Sequence, residues 1–339
     1  MSVSYYDGSA MERPDGLETL KLAAITAMWV ALTKGLIRIG ERVIPDAWKA
    51  KITLQTFLMA CQVLTTALGL VLCFTLLARP RAVLAFARPR RREIIFTALL
   101  APAFLISTTV LALQAAMPIL LEELRTRGPG VSRQNAGELG RMLEQGPLVG
   151  TLLWGAILAA AAEELLFRGA LWSLVDRIVK IVRAEFAGKL PRSRREGAEP
   201  GPMSWAERAS PVILGLFPTI AAAAVFGLMH GDLSGGVGVV RLVSATLLGL
   251  GAGVLRWWTG TMLAPILLHF LNNMMVIGHG RKWFTLGPPG QALIDGVPNG
   301  LLGVAALGLL GVGLLWGLLA ISDRRAARDR AFAEGARPS

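Results

Sequence analysis

Long apolar stretches alternate with short polar ones along most of the chain. A helix needs about 20 mostly apolar residues to cross the hydrocarbon core of a bilayer. Seven windows of this kind occur, near 52–78, 94–115, 148–174, 210–230, 236–256, 261–279 and 300–321. An eighth window, near 19–39, contains Lys21, Lys34 and Arg38, and it predicts either another span or an amphipathic helix lying in the membrane interface. The pattern therefore predicts an all-α, polytopic transmembrane bundle of seven or eight helices.

Composition supports the membrane assignment. Of 339 residues, 53% are hydrophobic and 17% are charged, which leaves too little polar surface to cover a soluble globule of this length. The net charge is +12, but the basic residues lie in short segments between apolar runs and are not interleaved with aromatic residues. This distribution argues against a nucleic-acid partner. We expect an integral protein of a bacterial inner (cytoplasmic) membrane, with the lipid bilayer as its surroundings.

The basic loops predict an orientation. Segment 78–92 carries six Arg and no acidic residue, so it is expected on the cytoplasmic side. Loop 116–146 then lies outside, while linker 176–208 and the basic tail at 323–330 lie inside. In this orientation the helix predicted at 210–230 runs outward, and its last residue, His230, lies near the non-cytoplasmic side.

Two carboxylates interrupt the apolar run "AAAAEELLFRGALW". An ionised group at mid-bilayer costs about 3 kcal/mol on insertion scales, so intramembrane acids are functional candidates. Glu164 and Arg168 are four residues apart on one helical face and are expected to form a structural ion pair. Glu163 is five residues from Arg168 and pairs poorly with it, so Glu163 is available for chemistry. The alternative is that both acids merely lie near the interface.

Two of the three histidines lie in apolar windows, His230 in "FGLMH" and His269 in "HFLNN", whereas His279 is expected at an interfacial helix end. Phe226 is four residues before His230, and Asn273 is four residues after His269, so each pair shares a helical face. Each buried polar group needs a partner, and partners are most easily supplied if these groups meet one another.

A carboxylate, two imidazoles and a carboxamide in one pocket are suited to hydrolysis. Glu163 is expected to act as a general base on a water that His230 shares, while His269 and Asn273 donate hydrogen bonds to the oxyanion. No GxSxG elbow is present, and neither Cys61 nor Cys73 has a His nearby in the sequence, so both cysteines are interpreted as apolar fillers. One Glu and two His (Glu163, His230, His269) also form a possible zinc set, but the metal-free version is favoured because an Asn suits hydrogen bonding better than zinc ligation.

These three motifs, EExxxR at 163–168, FxxxH at 226–230 and HxxxN at 269–273, resemble the CAAX prenyl protease and bacteriocin-processing (CPBP, Abi) family of intramembrane proteases. The resemblance covers roughly 148–279. It implies a helical bundle around an intramembrane catalytic cavity, with Glu163, His230, His269 and Asn273 catalytic and with Glu164, Arg168 and Phe226 supporting them. The family has been described both as metalloproteases and as metal-independent glutamate proteases.

The predicted organisation has three parts: an N-terminal region at 1–147 with two or three membrane helices, the catalytic core of four helices at 148–279, and a final helix with a cytoplasmic tail at 280–339. The expected activity is hydrolysis of a peptide bond near the C-terminus or membrane anchor of a membrane protein or lipid-anchored peptide. The alternatives are a transporter or proton-coupled channel that uses the same buried polar residues, and a non-catalytic membrane immunity or scaffold protein.

Two further expectations concern helix packing. The Gly clusters "SGGVGVV", "LGLGAGV" and "LLGVAALGLLGVGLLWG" are interpreted as close-packing surfaces between helices. Pro265, four residues before His269, is expected to kink its helix and widen the cavity.

Overall fold

The computed structural model describes residues 15–43, 54–127, 147–189, 205–231, 233, 235–281 and 283, with single positions between 308 and 322. Within these residues the secondary structure is entirely helical. The helices are α1 (Gly16–Val43), α2 (Leu54–Leu76), the short α3 (Pro80–Val83), α4 (Arg91–Arg127), the composite α5 (148–189), α6 (Trp205–His230), α7 (Gly236–Thr259) and α8 (Leu263–Gly280). The predicted last span (300–321) and tail (323–330) lie outside the described residues, apart from a few single positions.

Helix α5 is continuous but not uniform. Two π-helical turns, Leu152–Leu158 and Leu165–Leu171, lie on either side of the α-helical turn Ala159–Glu164. A π turn closes its hydrogen bonds over five residues rather than four, and such turns often occur at functional sites. Each of these two π turns contains a Gly, at 155 and 169. The carboxylate pair 163–164 therefore lies at the junction between ordinary and widened helix.

Within the described residues, five helices are long and apolar enough to cross a membrane. These candidate spans are Gly16–Leu36, Met59–Leu76, Arg91–Glu123, Leu148–Val182 and Gly236–Thr259. The windows predicted at 210–230 and 261–279 are also helical, as α6 and α8. The total of seven or eight spans remains a prediction.

Two predicted loops are shorter than expected because the neighbouring helices continue into them. Helix α4 passes through Pro102 and Pro118 and ends only at Arg127, well beyond position 115. Helix α5 continues past position 174 to Lys189. Hydropathy marks where apolar residues end, whereas a helix extends into water as long as its polar turns are good helix formers. The remaining parts of both loops, 128–146 and 190–204, lie outside the described residues.

Helix α1, which the sequence left open between spanning and interfacial, extends along the bundle. Near its start, Glu18 Oε2 accepts a hydrogen bond from the backbone N–H of Ala78 at 3.1 Å. Further along, Lys34 Nζ donates to the carbonyl oxygen of Met229 at 2.8 Å. Between these contacts, Trp29 is buried against the core. The contacts near both ends favour the spanning interpretation.

Segments that the charge pattern places on the same side of the membrane lie at the same end of the bundle. Ser173 donates to the carbonyl of Val83 at 2.8 Å, and Thr261 donates to the carbonyl of Ala87 at 2.9 Å. Segment 78–92 therefore lies at the same end as the second half of α5. At the other end, Glu123 Oε1 accepts from the N–H of Gly236 at 3.1 Å, which joins the end of α4 to the start of α7.

Small residues let α7 approach its neighbours closely. A Cβ at Gly249 would lie 2.9 Å from the backbone Cα of Ala223 on α6. A Cβ at Gly253 would lie 2.6 Å from Thr219 Cγ2. These contacts confirm the packing interpretation for the "LGLGAGV" cluster.

The expected kink at Pro265 is wrong. Helix α8 begins at Leu263, so Pro265 lies in its first turn. A proline is tolerated there because the first N–H groups of a helix have no intrahelical carbonyl partner. Pro265 therefore starts the helix that carries His269 and does not bend it.

We expect Gly249→Ala to lower the free energy of unfolding by about 1–3 kcal/mol, because the backbone of α6 cannot move away locally from the added methyl group. Thermal unfolding of the purified protein in detergent measures this. The matched control is Gly35→Ala on α1, where an added Cβ meets nothing within 4 Å and should be neutral or slightly stabilising. Equal unfolding midpoints for the two variants would contradict the close packing of α7 on α6.

Candidate active site

The two adjacent glutamates have different surroundings. The Glu164 side chain is 0% exposed, whereas the Glu163 side chain is 24% exposed. Consecutive residues on a helix point in different directions, and this places Glu164 in the protein interior and Glu163 in a cavity. The two carboxylates therefore differ in solvent exposure as well as in direction.

Glu164 forms the predicted ion pair with Arg168 and also binds His269. Its Oε1 accepts from Arg168 Nη1 at 3.0 Å and from His269 Nδ1 at 2.8 Å. Arg168 is 0% exposed, so this is a pair of buried charges that neutralise each other. The contact with His269 was not anticipated, and it joins α5 to α8.

Arg168 has further contacts that the motif does not reveal. Its guanidinium lies 4.5 Å from the ring centroid of Phe226, at cation–π distance. Its backbone carbonyl accepts a hydrogen bond from Arg256 Nε at 3.3 Å. Arg256 is 1% exposed and lies 5.0 Å from the ring of Trp172. The signal for Arg256 in the sequence is a cation inside the apolar stretch "GVLRWW", although this residue belongs to none of the three motifs.

Glu163 contacts His230. Glu163 Oε2 lies 3.1 Å from His230 Nε2, and His230 Nδ1 lies 2.7 Å from the carbonyl oxygen of Phe226. A carbonyl only accepts hydrogen bonds, so Nδ1 carries a hydrogen. The contact at Nε2 then needs one more proton, held either as imidazolium beside carboxylate or as imidazole beside carboxylic acid. Glu163 and His230 thus share a single transferable proton.

His269 also turns its Nε2 toward Glu163. The distance from His269 Nε2 to Glu163 Oε2 is 3.7 Å, too long for a direct hydrogen bond. Because Nδ1 is fixed by Glu164, the orientation of the ring is set from the buried side. Nε2 atoms from two helices therefore approach the same carboxylate oxygen.

Phe226 lies between the polar groups of the site. Its ring centroid is 4.1 Å from that of His230, 5.6 Å from that of His269 and 4.9 Å from that of Phe167. The last two arrangements are edge-to-face, which is a favourable geometry for aromatic rings. Phe226 thus contacts both imidazoles and the guanidinium of Arg168.

Asn273 lies one turn beyond His269 on α8. Its Nδ2 donates to the carbonyl of Gly155 in the first π turn at 2.8 Å, and its Oδ1 accepts from Asn272 Nδ2 at 3.2 Å. One amide hydrogen of Asn273 is therefore engaged in holding α8 against α5. His279 is exposed near the end of α8, as expected.

A cavity of about 220 Å³ adjoins Glu163 and His230. Part of its lining comes from α5 and α6, and the rest from α1 and α2, outside the three motifs. The α1 and α2 residues are Trp29, Thr33, Lys34, Gln62, Thr65 and Thr66. From hydropathy, Lys34 is simply a charged residue that interrupts a candidate span, and nothing in that pattern places it at the site. The rule that identifies Glu163, a charge in an apolar helix, also draws attention to Lys34, although Lys34 is the more exposed of the two.

The structure thus brings together the glutamates of the first motif and the histidines of the second and third, with Phe226 among them. Asn273 adjoins this group through α8 but is bonded to the backbone of α5. Among the described residues, no group of three or more His, Cys, Asp and Glu side chains is arranged to hold a metal ion. Cys61 and Cys73 are both free thiols.

Residues 145–275 match the family model described as Rce1-like, type II CAAX prenyl endopeptidase. The matched segment contains all three motifs, so the match confirms the resemblance seen in the sequence. No curated protein and no solved structure matches the chain.

The buried ion pair gives a testable prediction. We expect Glu164→Gln to lower the free energy of unfolding by about 3–5 kcal/mol, because Arg168 is left as a buried charge without a charged partner. The double variant Glu164→Leu/Arg168→Met should recover most of this loss. Thermal unfolding in detergent measures both.

The control is Lys21→Met, which breaks an ion pair in which Lys21 is 37% exposed and should cost at most about 1 kcal/mol. If Glu164→Gln unfolds at the same temperature as Lys21→Met, the ion pair does not stabilise the fold in this way.

Proposed function

We propose that residues 145–275, which match the family model described as Rce1-like, type II CAAX prenyl endopeptidase, form the catalytic core of a protease that cleaves near the C-terminus or membrane anchor of its substrate. The family supports a CAAX-type intramembrane endopeptidase in general terms.

The observation that carries the proposal is the contact between Glu163 and His230 at the cavity. Their polar atoms lie 3.1 Å apart, and their side chains are 24% and 35% exposed. A water in this cavity can therefore reach the pair that shares a proton. General acid–base catalysis needs such a pair within hydrogen-bonding reach of the reacting water.

The reaction follows from the proton count. Glu163 accepts a proton as the water oxygen bonds to the peptide carbonyl carbon. The C–N bond then breaks, and the Glu163–His230 pair gives a proton to the leaving amine nitrogen. One water is consumed, a carboxylic acid and an amine are formed, and the pair returns to its starting state.

His269 is placed to stabilise the oxyanion. Its Nδ1 donates to Glu164, so Nε2 can donate only when the ring carries a second proton, and the nearby carboxylates of Glu163 and Glu164 favour that cation. That Nε2–H can donate to the developing oxyanion, a contribution worth about 100- to 1,000-fold in rate for one donor. Asn273 supports the same region by holding α8 to Gly155, and its second amide hydrogen is the further donor.

The proposed chemistry uses no metal. Each imidazole donates its Nδ1 hydrogen, to Phe226 or to Glu164, and directs Nε2 to Glu163. This arrangement suits a proton relay. A zinc ion held by Glu163, His230 and His269 is the alternative, since imidazole Nε2 is also a common zinc ligand.

The location of the site favours an outward-facing cavity. Helix α6 ends at His230, and the loop that follows it leads to Gly236, at the opposite end of the bundle from segment 78–92. With that basic segment on the cytoplasmic side, the cavity opens toward the non-cytoplasmic side. Such a protease would act on anchoring or sorting segments of exported proteins.

We expect Glu163→Gln to reduce cleavage by about 100- to 10,000-fold, because the amide cannot accept the water proton. The measurement compares the C-terminal peptides of membrane and secreted proteins from cells that produce either form, by mass spectrometry. The control is Glu122→Gln, at an exposed position on α4, and both variants must insert in the membrane. Identical C-termini for wild type and Glu163→Gln, with proton-coupled uptake lost in proteoliposomes, would favour transport instead.

Metal content separates the two hydrolytic mechanisms. We expect purified active protein to contain zinc well below one atom per chain and to keep its activity after dialysis against a strong chelator. Elemental analysis and peptide cleavage measure the two quantities on one sample. Stoichiometric zinc, together with activity that is lost on chelation and regained on adding zinc, would assign Glu163, His230 and His269 as ligands.

A further inference from the structure

We propose that Lys34 forms a carboxylate-binding subsite in the cavity, so that the protein prefers peptides with a carboxylate close to the cleaved bond. This inference rests on the proposed protease function and adds a substrate preference to it. The carboxylate can come from an Asp or Glu side chain or from the C-terminus of the peptide.

Lys34 lines the same cavity as Glu163 and His230. Its ammonium donates to the carbonyl of Met229 at 2.8 Å, and Met229 immediately precedes His230. The cation is thereby held on one wall of the cavity, next to the residue that shares a proton with Glu163. A ligand that contacts Lys34 lies within a short distance of the proposed reacting water.

The charge of Lys34 is not balanced by a carboxylate among the residues that the structure describes. On the same helix, Lys21 pairs with Glu18 at 2.9 Å. On α5, Lys180 pairs with Asp176 at 2.7 Å. Lys34 uses one of its three N–H donors on Met229, which leaves two donors for an anion. An unbalanced cation in a membrane helix is a candidate for ligand recognition.

The wall around Lys34 supplies further polar groups. Gln62 and Thr66 of α2 line the cavity with Thr33 of α1. The Thr66 hydroxyl is buried and has no hydrogen-bond partner among the described residues. Buried polar atoms normally have partners, so this hydroxyl points to a missing one. A carboxylate has several acceptor sites, and an ammonium, a hydroxyl and an amide can fill them together.

The size of the cavity limits what enters it. At about 220 Å³, the cavity is smaller than the pockets of roughly 300–1,000 Å³ that enclose drug-sized ligands. This space suits one or two residues of an extended peptide and excludes a folded segment. Trp29 provides an apolar surface beside the polar groups, so the subsite is polar on only part of its wall.

A purely structural role for Lys34 makes a different prediction. A lysine that donates to a carbonyl in the last turn of α6 stabilises that helix end, because cations are favourable at helix C-termini. Loss of that contact would affect all substrates equally. Substrate recognition, in contrast, depends on the charge of the substrate.

The experiment uses three matched peptide libraries with the purified full-length protein in proteoliposomes. The first has a free C-terminal carboxylate and no acidic side chain, the second has one Glu and an amidated C-terminus, and the third has neither. Cleavage is followed by mass spectrometry, and binding is followed by fluorescence in the Glu163→Gln protein. The variants are Lys34→Met, Lys34→Arg as the conservative replacement, and Lys21→Met as a control on the same helix.

Wild type should prefer one of the first two libraries over the third, and the preferred one identifies the source of the carboxylate. Lys34→Met should raise KM for that library about 10- to 100-fold, the usual worth of a charge-assisted hydrogen bond, with little change in kcat. Its effect on the third library, through the lost contact with Met229, should be at least about 10-fold smaller. Lys34→Arg should recover most of the preference, and Lys21→Met should behave as wild type.

Equal effects of Lys34→Met on all three libraries, or no preference in wild type, would overturn the subsite. The two proposals can fail separately. Charge-selective binding in the Glu163→Gln protein, with no cleavage by wild type, would keep the subsite and remove the protease function. Cleavage without charge preference would do the reverse.

Discussion

A carboxylate without access to water, Glu164, is the group on which the arrangement of the site depends. It balances the buried charge of Arg168 and fixes the ring of His269 through a single oxygen. Because His269 Nδ1 donates to this buried carboxylate, α8 cannot shift relative to α5 without leaving a buried donor and acceptor without their partner. The same interaction determines where His269 directs Nε2. The contacts of buried Glu164 thus determine how the His269 ring is oriented at the cavity surface.

The adjacent acid, Glu163, lies outside the Glu164–Arg168 ion pair. Arg168 is already engaged by Glu164, so Glu163 is not held in a strong ion pair with a guanidinium and instead shares a proton with His230. The widened turns of α5 lie directly before and after this pair of acids. Gly155 in the first turn accepts from Asn273, and the carbonyl of Arg168 in the second accepts from Arg256. Side chains from two other helices therefore satisfy backbone groups of the irregular helix.

The sequence predicted the helical class, the Glu164–Arg168 pair and the meeting of Glu163 with two histidines, because each rests on the high free energy of burying polar groups in lipid. Burial requires that such groups have partners, but it does not specify which atoms meet. The bond between Glu164 and His269 therefore could not be predicted from spacing. The kink predicted at Pro265 was wrong because hydropathy locates the start of a helix only within a few residues. A proline is tolerated in the first turn of a helix but bends or breaks the helix interior. Arg256 and Lys34 belong to no motif, although the rule that marks Glu163 covers both.

Half of the residues that line the cavity come from α1 and α2, and they belong to none of the three motifs. Half of the lining is therefore carried by a part of the chain that lies outside the segment with the three motifs. Substitutions on the first two helices can reshape the opening and its polarity while Glu163, His230 and His269 keep their positions. For the proposed protease, exchange of these α1 and α2 residues would change the target while the proposed hydrolytic residues stay the same.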